Sequence, residues 1–309
     1  MDALFFLVGA TASGKTEVAL EIARIVPVEI ASLDSMSVYR GMDIGTAKPT
    51  PVQRRQVRHH LIDLVSPDAS FSVGAYTRAA EQAIAEIRGR GKRPLFVGGT
   101  PLYLKAMTAG LFDGPAADWD FRRQLHARAE REGTHVLHDE LAEVDPVTAA
   151  RLHPNDLKRI VRGLEVYHKT GRPITELQRQ WSTPAEDRPA VIAGIARDRK
   201  ELYRRIDVRV DRMFASGLVD EVRRLLDTYG ELSREAAQAL GYKEVLRHLA
   251  GEIDLEQSIA LVKRNTRRMA KRQLTWFRSF GEIRWLSMDE ETSASGVAAE
   301  IAAYPEIGG

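Results

Sequence analysis

The chain has no cysteine among its 309 residues. Disulfides, thiolate-ligated zinc and thiol nucleophiles are therefore excluded. The absence fits a reducing cytosol, and the expected location is cytoplasmic. Long apolar runs are missing too. None approaches the ~18 residues that a membrane helix requires, so no membrane partner is expected. Asp2-Ala3-Leu4-Phe5-Phe6 lacks a basic leader and runs straight into a glycine-rich turn, which argues against a secretory signal. No sign of charge dominates: 45 basic residues stand against 43 acidic ones, for a formal net charge of +2. Any surface for a polyanion must come from local clustering, not from the sum. Repeats and low-complexity tracts are also absent. What remains is an ordinary globular composition, 44% hydrophobic and 28% charged, on a chain long enough for about two domains.

Against that background one stretch stands out. Gly9-Ala10-Thr11-Ala12-Ser13-Gly14-Lys15-Thr16 matches the phosphate-loop pattern GxxxxGK[ST]. Leu4 to Val8 before it is an apolar run of strand length. Val18, Ile22 and Ile25 after it follow the i, i+4, i+7 stripe of a helix. A turn between strand and helix points backbone N–H groups at an anion and adds the positive end of the helix dipole. Lys15 supplies a mobile charge, and the Thr16 hydroxyl is placed to hold a magnesium ion through the phosphates. The motif calls for a diphosphate or longer polyphosphate and does not say which.

Further along, 27–33 reads as a second strand that delivers Asp34 and Ser35 at its carboxyl end, where open α/β sheets bind ligands. Residues 36–49 read as a loop with one short helical turn. A helix is expected over 73–88 with Ala80, Ile84 and Ile87 inward, then a third strand over 94–97 that ends in Gly98-Gly99-Thr100, then a short helix from Leu102. From Asp118 to about Arg188 only helical periods occur: 121–132, 136–144 and 157–170. The strand signal returns at 191–195. Helices follow, one marked by Leu202, Ile206, Val210 and Met213, another over 236–248 and a third over 255–280, before a late strand at 283–286. The expected architecture is a parallel α/β sheet of phosphate-loop NTPase type, formed by 1–115 and 189–309, with an all-helical insertion at 116–188.

Asp34 reads either as a cap for the following turn or as a general base facing the ligand. Thr100 ends the third strand's loop and has a hydroxyl for a phosphate oxygen, a substrate base or its own backbone. Arg205 and Arg209 fall together at i, i+4, placing an arginine within reach of a second phosphate. Residues 263–278 hold seven basic residues and no acid. Lys263, Arg267 and Lys271 form one row, with Arg264, Arg268 and Arg272 beside it. Exposed helices usually mix signs, so this face suits a polyanion. Lys158, Arg159 and Arg162 point the same way more weakly.

Together these motifs resemble tRNA dimethylallyltransferases, also called tRNA isopentenyltransferases. The resemblance rests on Gly9–Thr16, on the run from Asp34 to Pro49 (DSMSVYRGMDIGTAKP), and on His59-His-Leu-Ile-Asp63 and Val97-Gly-Gly-Thr100. It continues through His153-Pro-Asn-Asp156, Ala239-Leu-Gly-Tyr-Lys243 and Ala270-Lys-Arg-Gln-Leu-Thr-Trp-Phe-Arg278, in the family's order over nearly the whole chain. One departure is Leu157-Lys158, where the family often has Pro-Gln. The resemblance implies transfer of a dimethylallyl group from dimethylallyl diphosphate to the exocyclic amine of the adenosine 3′ of the tRNA anticodon. Lys15, Thr16 and magnesium would stabilise the departing diphosphate, with Arg209 and Thr100 as further catalytic contacts and Asp34 holding and deprotonating the amine. The implied contacts to the anticodon stem-loop are Asp34, Ser35, Met36, Ser37 and Thr100, then Arg122 and Lys158, Arg159, Ile160, Val161 and Arg162 of the insertion. Gln238, Gly241, Tyr242 and Lys243 continue the set, which closes on Arg267, Lys271, Arg272, Gln273, Trp276 and Arg278. A monomer is expected. A small-molecule kinase, a transferase to free AMP and a nucleotide-switched RNA-binding protein share parts of this pattern. None of the three accounts for the helical insertion, the basic face, Asp34 and Thr100 together.

Overall fold

The computed structural model describes residues 3–110, 114–115, 117–181, 189–289 and 291–308, with the side chains of 178–181 and 308 outside that set. The strands are β1 (Leu4–Gly9), β2 (Val28–Leu33), β3 (His59–His60), β4 (Arg93–Gly98), β5 (Ala190–Ala196) and β6 (Arg284–Ser287). The helices up to the second strand-free region are α1 (Lys15–Ile25), α2 (Pro51–Gln56), α3 (Val73–Gly89) and α4 (Pro101–Ala109). That region holds α5 (Trp119–Glu132), α6 (Thr134–Val144), α7 (Pro146–Ala149), α8 (Leu157–Thr170) and α9 (Ile174–Trp181). The rest are α10 (Arg199–Ala215), α11 (Leu218–Tyr229), α12 (Arg234–Ala237), α13 (Tyr242–Leu249), α14 (Leu255–Phe277), α15 (Ala294–Ala302) and α16 (Pro305–Gly308).

The strands form one six-stranded sheet in the order β3-β2-β4-β1-β5-β6, parallel throughout. Side chains alternate across a strand, and β1 supplies both cores. Phe5 and Leu7 pack with Val18, Ala19 and Ile22 of α1 and with Val297 and Ile301 of α15. Leu4, Phe6 and Val8 pack with Tyr76, Ala80 and Ile84 of α3, Leu104 of α4 and Phe277 of α14. A strand buried on both faces has to be apolar at every position, as in a helix-covered parallel sheet. Each fully buried Phe or Leu here contributes about 2 kcal/mol.

The register places the ligand-facing ends level. Leu33 lies opposite Gly98, and Gly98 opposite Val8. The loops after β2, β4 and β1 therefore leave the sheet side by side, at steps of about 4.8 Å. This brings Asp34, Thr100 and the phosphate loop to one edge.

The chain separates into two compact units, residues 1–108 with 188–309 and residues 109–187. The second holds only helices among its described residues, around Leu125, Leu137, Leu141, Ile160, Val161 and Leu164. Asp118, Asp145 and Asp156 cap its helix starts. No described helix is long and apolar enough to cross a membrane.

Several sequence expectations need correction. The single helix over 236–248 is two, α12 and α13. The chain turns between them at Gly241, whose φ of 90° a side chain rarely adopts. Ile25 is not inward but 54% exposed, and Ala19 takes its place beside Val18 and Ile22. Helices α2, α7 and α9 and strand β3 go unread because four to eight residues, or two, carry too little periodicity. Helix α11 also goes unread, although the spacing of Leu218, Val222 and Leu225, all buried, carries a helical period.

Candidate functional site

The phosphate loop opens into a cavity of about 570 Å³ that Lys15, Thr16, Asp34, Thr100, Arg209 and Gln273 all line. Five of these six come from three strand ends and the α10 face. Gln273 reaches in from α14.

The loop itself is held in an open bowl. Ala12 sits at φ 63°, a left-handed conformation that costs a non-glycine residue about 1 kcal/mol. Three contacts over-determine it. Arg205 Nε donates to the Ala12 carbonyl at 2.9 Å, Arg197 Nε to the Ser13 carbonyl at 2.8 Å, and Thr11 N–H to Gln273 Oε1 at 3.0 Å. Lys15 Nζ donates to the carbonyls of Gly9 and Ala10 at 3.1 and 2.6 Å. Burial, reinforced by the Arg209 charge, lowers its pKa to about 8, partly offset by Asp34 and Glu17. Arg209 Nη1 donates to Thr11 Oγ1 at 3.3 Å, and burial lowers its pKa as well. The loop thus faces a lysine and an arginine that lack enough negative charge nearby, which is the condition for binding a polyphosphate.

Across the bowl, Asp34 Oδ1 accepts from the backbone N–H of Met36 at 2.8 Å and of Ser37 at 3.2 Å. Both readings of this residue meet here. One oxygen caps the turn, and the other has no protein partner among the described residues. Thr100 Oγ1 accepts from the Ser35 N–H at 3.2 Å, which ties the β4 loop to the β2 loop. Ser37 is buried, its hydroxyl 2.7 Å from that of Ser32.

The sequence-derived site residues divide into those brought together and those kept apart. Gly9 to Thr16, Asp34 to Ser37, Thr100 and Arg209 belong to the cavity or its floor. Gln273 was expected on the RNA and instead spends its amide on the site's backbone: Oε1 accepts from Thr11, and Nε2 donates to the Gly99 carbonyl at 2.6 Å. A neutral amide inside a cationic run was the available signal. Tyr242 and Gly241 are buried, while Gln238 and Lys243 are exposed. Ile160 and Val161 lie in the core of the helical unit, so their side chains are not surface contacts. Amphipathic packing of α8 turns them inward and leaves Lys158 and Arg159 outside. Arg122 and Arg162 both bind the fully buried Glu165, Arg122 through two bonds of 2.7 Å.

The basic face on α14 is also uneven. Lys263 pairs with Asp211 at 2.6 Å and Arg267 lies 3.6 Å from Asp207, so acids of α10 offset that row. Arg264, Arg268, Lys271, Arg272 and Arg278 are exposed without an acidic partner among the described residues. Trp276, an implied stem-loop contact, is 39% exposed beside them. Arg205, read beside Arg209 for a phosphate, holds the Ala12 carbonyl, and Arg197 was missed although it directly follows β5, the strand next to β1.

A phosphate loop between a parallel strand and a helix, faced by a carboxylate and a hydroxyl on the two neighbouring strand ends, defines a P-loop protein that brings a polyphosphate and a second reactant together. The family described as IPP transferase matches residues 37–280, and the chain belongs to it. It is similar to a tRNA dimethylallyltransferase of Geobacter sulfurreducens, 50% identical over 92% of this chain and 91% of that one. A second relative of that name, from Pelotomaculum thermopropionicum, is 43% identical over 99% and 97%. Among solved structures, a full-length tRNA isopentenylpyrophosphate transferase from Bacillus halodurans is 40% identical, with a TM-score of 0.70 over 98% of this chain and 96% of that one. A eukaryotic dimethylallyltransferase acting on tRNA is 27% identical, with a TM-score of 0.79 over 98% and 78%.

Proposed function

We propose that this chain transfers a dimethylallyl group from dimethylallyl diphosphate to the exocyclic amine of the adenosine 3′-adjacent to the anticodon of tRNA, releasing diphosphate. The observation that carries the reading is that Asp34, Thr100, Lys15 and Arg209 line one cavity. The diphosphate lies on the loop N–H groups, with Lys15 and Arg209 taking up the negative charge that grows as the allylic C–O bond breaks. The amine nitrogen forms the new bond to that carbon. Its proton passes to the unpartnered oxygen of Asp34, whose other oxygen is already spent on Met36 and Ser37. An aromatic amine is a weak nucleophile, so alignment supplies much of the rate. The base leaves its stack to enter such a cavity.

The donor set suits a magnesium ion shared with the diphosphate. Thr16 lines the cavity, and the buried Ser13 hydroxyl beside it has no partner among the described residues. Thr16 would hold it, and it would neutralise charge on the leaving group. The exposed arginines of α14, with Lys158 and Arg159, supply phosphate contacts to the stem-loop. The expected working form is a cytoplasmic monomer.

The test incubates the protein with magnesium, labelled dimethylallyl diphosphate and unmodified tRNA, with AMP and ATP in parallel. Label in an anticodon-loop adenosine supports the reading. Label in AMP moves the acceptor to a free nucleotide, and consumption of ATP without alkyl transfer points to a kinase.

A further inference from the structure

Residues 45–49 form one wall of the cavity; the loop 43–49 that carries them is irregular backbone, and it is held by a residue that no motif marks. Glu221, on α11, is 4% exposed. Its carboxylate accepts from three consecutive backbone N–H groups, Asp43 at 3.1 Å, Ile44 at 2.8 Å and Gly45 at 3.3 Å. It also accepts from the Tyr242 hydroxyl at 2.6 Å. Tyr242 is fully buried, and burial together with the Glu221 charge pushes its pKa far up, so the hydroxyl stays a donor. The fit is tight. A Cβ added at Gly45 would come within 2.4 Å of the Tyr242 ring. Tyr242 begins α13, separated from Ala239 and Leu240 by the intervening Gly241, and Ala239 and Leu240 line the cavity as Gly45 and Thr46 do.

We propose that Glu221 is a positioning residue for the acceptor base, joining two walls of the cavity through the 43–45 amides and the Tyr242 hydroxyl. The inference rests on the transfer reaction above. A single buried carboxylate satisfies four donors, three of them part-buried backbone N–H groups and one the buried Tyr242 hydroxyl, so its loss loosens both walls at once. Lys48 fixes the far end of the same loop. Its buried ammonium donates to the Tyr39 carbonyl at 2.5 Å and to the carboxylates of Asp43 at 2.8 Å and Asp63 at 2.6 Å. Asp34 caps the near end. The middle of the loop therefore has Glu221 as its tie to α11 and α13. Neither wall includes the phosphate-loop residues 11–16, so the effect is expected on the acceptor and not on the donor. A displacement of about 1 Å in a reacting group costs on the order of a hundredfold in rate.

Glu221→Gln keeps the shape but removes the charge and gives the amide nitrogen no way to accept. Tyr242→Phe keeps the ring in the core and removes only the hydroxyl, so it serves if the first variant unfolds at the assay temperature. Kcat and KM with tRNA are measured beside the Kd of inorganic diphosphate with magnesium. The expected result is a fall in kcat/KM for tRNA on the order of tenfold to a hundredfold, with the diphosphate Kd unmoved. Tyr242→Phe shows a smaller fall, and the double variant is no worse than Glu221→Gln because both act through one wall. Equal weakening of tRNA turnover and diphosphate binding overturns the proposal, as does a lowered melting temperature with full turnover. A wild-type protein that transfers nothing overturns the underlying reaction instead, before any variant is compared.

Discussion

At the scale of single residues, the site is a contest between burial and charge, and its outcome sets the pH response. Lys15 is held at about pKa 8 by burial and Arg209, so in the free enzyme its charge is nearly complete well below pH 8 and is lost as pH rises through that value. The expected outcome is that kcat/KM for the diphosphate donor falls above about pH 8, since that ratio reports free-enzyme groups; a profile flat to pH 10 would show that the lysine charge does not recruit the donor. Asp34 has a divided carboxylate, one oxygen capping its turn and one available. Asp34→Ala is therefore expected to lower turnover by on the order of 10² to 10⁴ while diphosphate affinity changes little, as measured by single-turnover transfer beside equilibrium binding. Matching losses in both would make Asp34 an anchor for the loop and not a proton acceptor. The capping role was readable from the Asp-Ser pair. The availability of the second oxygen was not, because it depends on which groups the fold brings near.

At the scale of elements, α14 illustrates how far a charge pattern carries. Seven cations without an acid mark a polyanion surface, but the pattern cannot say which row of the helix faces a neighbour. The structure turns Lys263 and Arg267 toward Asp211 and Asp207 of α10 and leaves Arg264, Arg268 and Arg272 exposed. Neutralising Arg268 and Arg272 to Gln is expected to weaken tRNA binding and reduce the magnitude of the salt slope by about one per residue. The pair Lys263 and Arg267 should matter less to the slope, and binding titrations across salt concentrations separate the two rows. Gln273 is the same lesson in miniature. Its place in the run suggests RNA, but its angular position on the helix points it at Thr11 and Gly99. The angle that decides this comes from how α14 packs on α10 and the sheet.

At the scale of the whole molecule, stability and function use separate regions of the sheet. The Glu29 carboxylate, on β2, takes a two-pronged contact from Arg90 at 3.0 and 2.8 Å and lies 2.7 Å from His60 Nε2. This joins β2, β3 and the end of α3 away from the carboxyl edge. Hydrogen bonds from Arg90, opposed by burial and aided by His60, hold the carboxyl near pKa 2, below its ordinary 4.5. A depressed carboxylate contributes stability that is present above pH 4.5 and is lost as pH falls toward 2. Glu29→Gln is expected to cost on the order of 2 kcal/mol at neutral pH and to flatten acid unfolding in that window, measured by denaturant titration at several pH values. Unchanged acid unfolding would assign the window to other carboxylates. Donor binding should survive the change, because Glu29 is not among the residues that line the cavity.

The sequence by itself determined the local chemistry: a phosphate loop between a strand and a helix, an acid after the second strand, a helical stretch between the α/β parts, and a cationic helix. These follow from short-range rules of spacing and turn geometry that need no partner. Only the tertiary structure decided which strand lies between β1 and β2. Inserting β4 there, through pairings more than sixty residues apart in sequence, sets Thr100 between Asp34 and the phosphate loop. It also decided which polar side chains turn inward. Glu221 looks like any acid in the first turn of a helix until α11 and α13 close on the loop at Gly45. Its role arises from burial and from unpaired backbone N–H groups, which exist only once the chain has folded.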